Sequence, residues 1–103
     1  MRMMVRFSFP PDSGNEVIRS GKINNFFQML MADLKPEAAY FYPEGGERGG
    51  LLVFDMQDSS QVAGVVERFS FGLAATIEMT PVMNAEDLMK GLAEIETIVK
   101  NYG

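Results

Sequence analysis

The fold is decided by the stretch Ala38-Ala39-Tyr40-Phe41-Tyr42-Pro43-Glu44-Gly45-Gly46-Glu47-Arg48-Gly49-Gly50-Leu51-Leu52-Val53-Phe54-Asp55-Met56. Two runs rich in apolar and aromatic residues, 38–42 and 51–56, have the composition of strands. The segment between them holds four glycines, which permit the positive φ angles that a hairpin requires. The stretch therefore predicts a β-hairpin with a mobile tip.

A helix is predicted on each side of this hairpin, because apolar residues recur there at helical spacing. The upstream helix stops at Pro36. The downstream helix is capped by Asp58 or Ser59, with Gln61 placed to complete a capping box, and Gly72 ends it. Their apolar stripes are Ile23, Phe26, Phe27, Leu30, Met31 and Leu34 upstream, and Val62, Val65, Val66 and Phe69 downstream.

A strand is predicted outside each helix from the alternation of its side chains. The first strand covers Met3 to Phe9 and ends at Pro10-Pro11, because proline has no N–H to donate to a sheet. The other covers Ala75 to Thr80 and is closed by Pro81. Together with the hairpin and its helices, these strands give the order βαββαβ.

Two further segments lie outside this order. Residues 13–22 contain Gly14 and Gly21, so we expect a short separate turn or a loop there. After the last strand, Asn84 caps a final helix. Its apolar stripe consists of Leu88, Leu92, Ile95 and Val99.

This order predicts one α+β domain of ferredoxin-like type over residues 1–103. Right-handed crossovers place both intervening helices on one face of a four-stranded antiparallel sheet with spatial order 4-1-3-2. The other face stays uncovered, yet the strands carry apolar residues on both sides, for example Met4 and Phe7. Because large exposed apolar faces usually mark an interface, we expect a homodimer through these sheet faces.

The composition excludes several functions. Without cysteine or histidine, the chain lacks disulfides, thiolate ligands, cysteine nucleophiles and the commonest general base. Its net charge of -5 opposes the phosphate neutralisation on which nucleic-acid binding depends. No carboxylates have metal-ligand spacing. We therefore expect no metal, no cofactor and no nucleic-acid partner.

No apolar run reaches the ~18 residues that a membrane span requires. At the N-terminus, Arg6 interrupts the apolar stretch that a signal peptide would need. We therefore expect a cytoplasmic protein with no membrane partner.

Several segments resemble a family of small bacterial proteins with no assigned reaction. They are Ile18-Arg19-Ser20-Gly21-Lys22, Leu34-Lys35-Pro36-Glu37-Ala38-Ala39-Tyr40-Phe41, Glu44-Gly45-Gly46, Thr80-Pro81-Val82-Met83 and Glu86-Asp87-Leu88. The likeness covers nearly the whole chain. The chain resembles members of the dimeric α/β-barrel superfamily, which includes muconolactone isomerase, stress-responsive barrel proteins and cofactor-free monooxygenases. This resemblance implies two sheets that close face to face around a cavity. The matching segments are structural rather than catalytic, so the resemblance implies no reaction. Members that bind haem or act through histidine, and monooxygenases that depend on tryptophan, use residues that this chain lacks.

Arg6 and Glu78 form the first candidate site. The alternation places both on the uncovered face, on strands adjacent in the predicted order. As catalytic residues, Arg6 would hold a carboxylate or enolate oxygen and Glu78 would move a proton, once burial raised its pKa. As structural residues, which the sequence favours, they would form a cross-strand ion pair within the dimer interface.

Tyr40 and Tyr42 share one face of their strand. Their hydroxyls would orient a small planar ligand, with Tyr40 assisting the catalytic pair and Tyr42 binding the ligand. The favoured alternative is aromatic packing across the dimer.

Asp55 and Arg48 complete the candidate ligand-binding residues. Asp55 is unusual on an apolar strand, so it is either paired, with Arg6 or Arg68, or exposed near the strand end. Arg48 would act as an anion hook if the glycine-rich tip were a lid. The tip lacks the spacing of a phosphate loop, and a plain hairpin is favoured.

Two functions are consistent with these residues. The first is a dimer that binds a small, weakly polar or anionic organic molecule, as a cofactor-independent isomerase or oxygenase using Arg6, Glu78 and Tyr40. The second is a non-catalytic interaction or regulatory module, as in ferredoxin-like ligand-sensing domains. An open cavity between the sheets favours the first, and a filled interface favours the second.

Overall fold

A computed structural model describes residues 1–103 and contains eight helices and strands. In chain order they are β1 (Arg2–Phe9), α1 (Pro11–Arg19), α2 (Lys22–Leu34), β2 (Ala38–Glu44), β3 (Glu47–Asp55), α3 (Gln61–Leu73), β4 (Thr76–Pro81) and α4 (Ala85–Tyr102). The predicted βαββαβ order with a final helix is confirmed, with one additional helix, α1. None of the helices combines the length and the apolar character needed to cross a membrane.

The four strands form one antiparallel sheet in the order β2-β3-β1-β4. The predicted spatial order is confirmed, and the arrangement is consistent with a ferredoxin-like fold. β1 lies at the centre and pairs with both β3 and β4. β2 and β4 are the two edges.

The core lies on one side of the sheet, between the strands and the helices. Alternate residues of β1 are buried there, and the ring of Phe7 packs against that of Phe69 with centroids 4.9 Å apart. The other side, which we call the open face, is covered by no helix and shows the residues that alternate with the buried ones. It includes Arg2, Met4, Arg6, Ser8, Tyr40, Tyr42, Glu44, Leu51, Val53, Thr76, Glu78 and Thr80.

The turn or loop expected at residues 13–22 is wrong, because α1 occupies most of that segment. Pro11 stands at the start of α1, where its missing N–H costs nothing. Gly14 is there for packing: a Cβ at this position would lie 2.6 Å from Nη1 of Arg48. Gly21, with φ of 77°, supplies the break between α1 and α2.

The predicted hairpin is confirmed, but its tip is shorter than expected. The strands continue to Glu44 and resume at Glu47, so only Gly45 and Gly46 form the loop. Their φ angles are 61° and 86°, and positive values at both positions give the two-residue turn that matches the twist of paired strands.

The start of α3 differs by one or two residues from the prediction. Its N-cap is Ser60 rather than Asp58 or Ser59, and Ser60 makes no side-chain cap. The Oδ1 atom of Asp58 instead accepts from the Ser60 N–H at 2.8 Å, which fixes the turn before the helix. The helix continues past Gly72 to Leu73.

The start of α4 agrees with the prediction. Asn84 accepts from the Asp87 N–H, and the Asp87 side chain accepts from the Asn84 N–H, which forms a capping box. No residue of this helix is buried. The radius of gyration is 17.1 Å, against about 13 Å for a compact domain of this size. The longest extent is 59 Å, so α4 projects from the body of the protein.

Candidate functional site

One row of residues crosses all four strands on the open face. Arg6 of β1 lies opposite Leu51 of β3 on one side and Glu78 of β4 on the other. Tyr40 of β2 lies opposite Leu51 and completes the row. The antiparallel register therefore places all three predicted catalytic residues in one line.

Arg6 is the centre of a small charge cluster. Its Nη2 donates to Oε2 of Glu78 at 2.9 Å, and Oε1 of Glu44 lies 3.9 Å from the same nitrogen. The side chains of Arg6 and Glu78 are 40% and 72% exposed. The guanidinium thus lies between two carboxylates on a surface open to solvent.

A cleft of about 360 Å³ lies beside this cluster. It is lined by Arg6, Phe7, Ser8, Glu44, Gly45, Glu47, Thr76, Ile77 and Glu78. Three carboxylates and a single guanidinium surround it, so its local charge is negative. This balance disfavours a free anion and suits a neutral polar molecule.

Glu44 was not among the predicted site residues, because it was assigned to the hairpin tip. The signal was available in the alternation of β2, since Glu44 follows Tyr42 by two residues and shares its face. Hydrogen bonding to Glu44 raises the pKa of the Tyr42 phenol above 10.0. Burial and the negative charge of Glu44 act in the same direction, while Arg6 lowers the pKa.

Tyr40 does not reach the ion pair. It is 66% exposed, and it lies two strands from Arg6, which is about 10 Å across a sheet. Tyr40 lies in the same row as the charge cluster, with Leu51 between them.

Asp55 lies at the end of β3, away from the cluster. It binds the N-terminal amine of Met1 at 2.8 Å and Nε2 of Gln57 at 2.6 Å. These two bonds, with the charge of the amine, hold its pKa below the ordinary 3.8. The expected pairing with Arg6 or Arg68 is wrong, and the exposed position at the strand end is confirmed.

Arg48 lies on the opposite side of the sheet from Arg6. Its Nη2 donates to Oδ1 of Asn15 in α1 at 3.1 Å. The structure therefore does not bring Arg48 together with Arg6 and Glu78, although Arg48 and Tyr42 line a shallow depression at the end of the hairpin. No three side chains among Asp, Glu, His and Cys are grouped so that they could hold a metal ion.

A protein-family model described as a domain of unknown function (DUF3303) matches residues 1–96. The matched region contains the whole sheet, the charge cluster and the first two-thirds of α4. No curated protein matches the chain.

Proposed function

The chain belongs to the DUF3303 family of unknown function, and from its open face we propose that it binds small organic molecules as a homodimer. In this proposal two copies stack their open faces as a dimeric α/β barrel. The ligand lies between the sheets, over the row from Tyr40 to Glu78.

The apolar content of the open face supports the stacking. Met4, Leu51 and Val53 lie on its central strands and are half-buried, with no helix of the same chain packed over them. A second sheet would remove these side chains from water, and facing sheets pack about 10 Å apart. The same stacking would enclose the charge cluster.

The main support for ligand binding is the cleft beside Arg6. It is a concave site lined mainly by charged and polar groups, which can fix the orientation of a small molecule. Because Glu44 and Glu78 already neutralise Arg6 and leave excess negative charge, we assign the site to a neutral, weakly polar molecule rather than to an anion. Planar carbonyl compounds fit this description.

The chemistry open to such a site is proton transfer without a cofactor. Arg6 would donate hydrogen bonds to a carbonyl oxygen and stabilise the enolate that forms when a carbon-bound proton leaves. Glu78 would accept that proton and return it to another carbon, which is an isomerisation. Alternatively, the enolate carbon would form a bond to dioxygen, and the resulting peroxide anion would take back the proton held by Glu78, which gives a hydroperoxide that retains both oxygen atoms. Tyr40 would line the pocket at the far end of the row.

A matched pair of probes tests the site. Benzamide and benzoate have nearly the same shape and differ in charge. We expect benzamide to shift the backbone amide NMR signals of the open-face strands, and benzoate to shift them at concentrations roughly tenfold higher. Arg6→Ala should abolish the shifts, whereas the control Arg68→Ala, on the helix side, should leave them unchanged. Shifts that are absent for both probes, or that survive Arg6→Ala, would overturn ligand binding at this cleft.

A second function is favoured by one observation, the 2.9 Å pairing of Arg6 with Glu78. A charge pair that satisfies itself needs no ligand, which suits a non-catalytic interaction or regulatory module assembled through the sheet. The same titration separates the two functions. A dimer whose open face does not respond to either probe would favour the module.

A further inference from the structure

The projecting helix α4 carries a broad apolar stripe that nothing in its own chain covers. Its large apolar side chains are 42–88% exposed. They are Leu88, Met89, Leu92, Ile95, Ile98, Val99 and Tyr102. A stripe of this width is typical of a helix that packs on a surface, since a two-stranded coiled coil uses a narrower seam.

An isolated helix of this length is marginally stable in water, so α4 needs a partner surface. Its start is tied to the body on the open-face side, where Oδ2 of Asp87 lies 3.6 Å from Nη1 of Arg2. From there α4 runs away from its own body. Its stripe is therefore placed to meet another molecule.

A groove beside the edge strand β2 is uncharged and largely apolar, as a binding site for the α4 stripe would be. Its volume is about 610 Å³, and it lies between β2 and α2. It is lined by Asn24, Phe27, Gln28, Met31, Ala39 and Phe41. None of these residues is charged, so an apolar helix would enter the groove without desolvating an ion.

We propose that α4 of one copy lies in the β2–α2 groove of a second copy, and that the exchange is reciprocal. The α2 side of the groove, from Asn24 to Met31, is about 10 Å long, which accommodates the two middle turns of a helix. A docked helix would also shield the unpaired edge of β2, where Phe41 is exposed.

The docked helices would add to the area buried by the stacked open faces. Stable interfaces bury about 1,200–2,000 Å², and two exchanged helices would contribute their apolar side chains to that total in both copies. A lipid surface suits α4 less well, because the helix carries four acidic and two basic residues. The other apolar depression, beside Phe71, contains the Arg68–Asp33 ion pair, which docking would desolvate.

This inference rests on the homodimer of the proposed function but not on its ligand. The chain has no cysteine, so single introduced cysteines report proximity cleanly. Ile95→Cys lies at the centre of the stripe, Gln28→Cys lies on the groove, and Thr97→Cys lies on the opposite side of α4 as a matched control. A disulfide requires Cα atoms within about 7 Å of each other.

We expect oxidation of an equimolar mixture of Ile95→Cys and Gln28→Cys proteins to give the mixed disulfide as the main product. The mixture of Thr97→Cys with Gln28→Cys should give roughly tenfold less, because its thiols point apart. Equal yields in both mixtures would overturn the docking. A predominant Ile95→Cys homodisulfide would also overturn it, in favour of pairing between two α4 helices.

Sedimentation separates this inference from the dimer on which it rests. Leu92→Glu should raise the dimer dissociation constant at least about tenfold, as expected for a buried anchor, while Thr97→Glu should change it less than about twofold. Circular dichroism of both variants checks that the body is folded. A monomeric wild type would overturn the dimer and the docking together. A dimer that Leu92→Glu leaves intact would overturn the docking alone.

Discussion

Arg6 of β1 and Glu78 of β4 lie directly opposite each other in the antiparallel register, and their side chains meet at 2.9 Å. The pair lies 72 residues apart in the chain and belongs to the open face rather than to the core. Its energetic role depends on whether a second sheet covers it. In water such a pair contributes little, whereas in an enclosed interface the loss of one partner leaves an unpaired charge.

A double-mutant cycle on this pair measures that difference. With Arg6→Ala, Glu78→Ala and the double variant, we expect a coupling free energy above about 1 kcal/mol at concentrations that favour the dimer, because exposed pairs rarely exceed that value. The Arg68–Asp33 pair, at 3.0 Å, is the control and should stay below it. Equal coupling energies from chemical denaturation would mean that both pairs remain in water.

The pKa of Tyr42 should respond to its two charged neighbours in opposite directions. In a Tyr40→Phe/Tyr102→Phe background, phenolate absorbance reports Tyr42 alone, and we expect its pKa above 10.0. Glu44→Ala should lower this pKa, because it removes the acceptor and its negative charge. Arg6→Ala should raise it further. A Tyr42 titration that neither change moves would show that the phenol and the cluster do not interact.

Acid should remove the contribution of Asp58 to stability. Hydrogen bonds from the backbone N–H and the side chain of Ser60 hold the pKa of Asp58 below the ordinary 3.8. A lowered folded-state pKa means that the stabilisation is present above the unfolded pKa and is lost as the pH falls through the folded one.

We therefore expect the Tm of Asp58→Asn to lie below that of the wild type at neutral pH, with the gap closing at pH values below 3.8. Ser60→Ala, which keeps only the backbone donor, should show a smaller gap. A gap that is constant across the acid range would contradict this account.

Two glycines of α3 should respond to alanine with opposite signs. A Cβ at Gly72 would collide with the ring of Phe26, so Gly72→Ala should destabilise the fold by about 1–3 kcal/mol. At Gly64 the nearest atom is the mobile end of Arg68, 3.0 Å away. Gly64→Ala should therefore stabilise the protein by up to about 1 kcal/mol through helix propensity. Urea denaturation measures both, and two changes of the same sign would contradict the packing argument.

The sequence was informative wherever periodicity and burial agree. The alternation of β1, the stripe of α2 and the hairpin were enough to predict the strand order, and hence the meeting of Arg6 with Glu78. Each of these signals comes from one face of an element meeting the core. The prediction that the open face binds a second copy and a ligand depends on partners that one chain does not contain.

Gly14, Gly49 and Gly50 were misread, because they serve close packing between elements rather than a turn. Gly14 weakened the case for α1, yet its missing Cβ makes room for Arg48 and Phe9. Gly49 and Gly50 were assigned to a tip, yet they lie in β3 where Cβ atoms would press on the carbonyl groups of Phe7 and Tyr40. Because that stretch was assigned to a loop, the alternation of side chains was not extended to Glu44 and Arg48. The face of the sheet on which each lies was therefore not predicted.

The central position of β1 shapes how the chain must fold. The hairpin of β2 and β3 closes through two residues and needs only local contacts, which form within microseconds. β1 must find partners far along the chain, and its last contact, with β4, spans 72 residues. Non-local pairing of this kind slows folding. Until β3 and β4 have formed, Met3 to Phe9 is an unpaired apolar strand, and we expect it to be the segment of the nascent chain most exposed to aggregation and to chaperones.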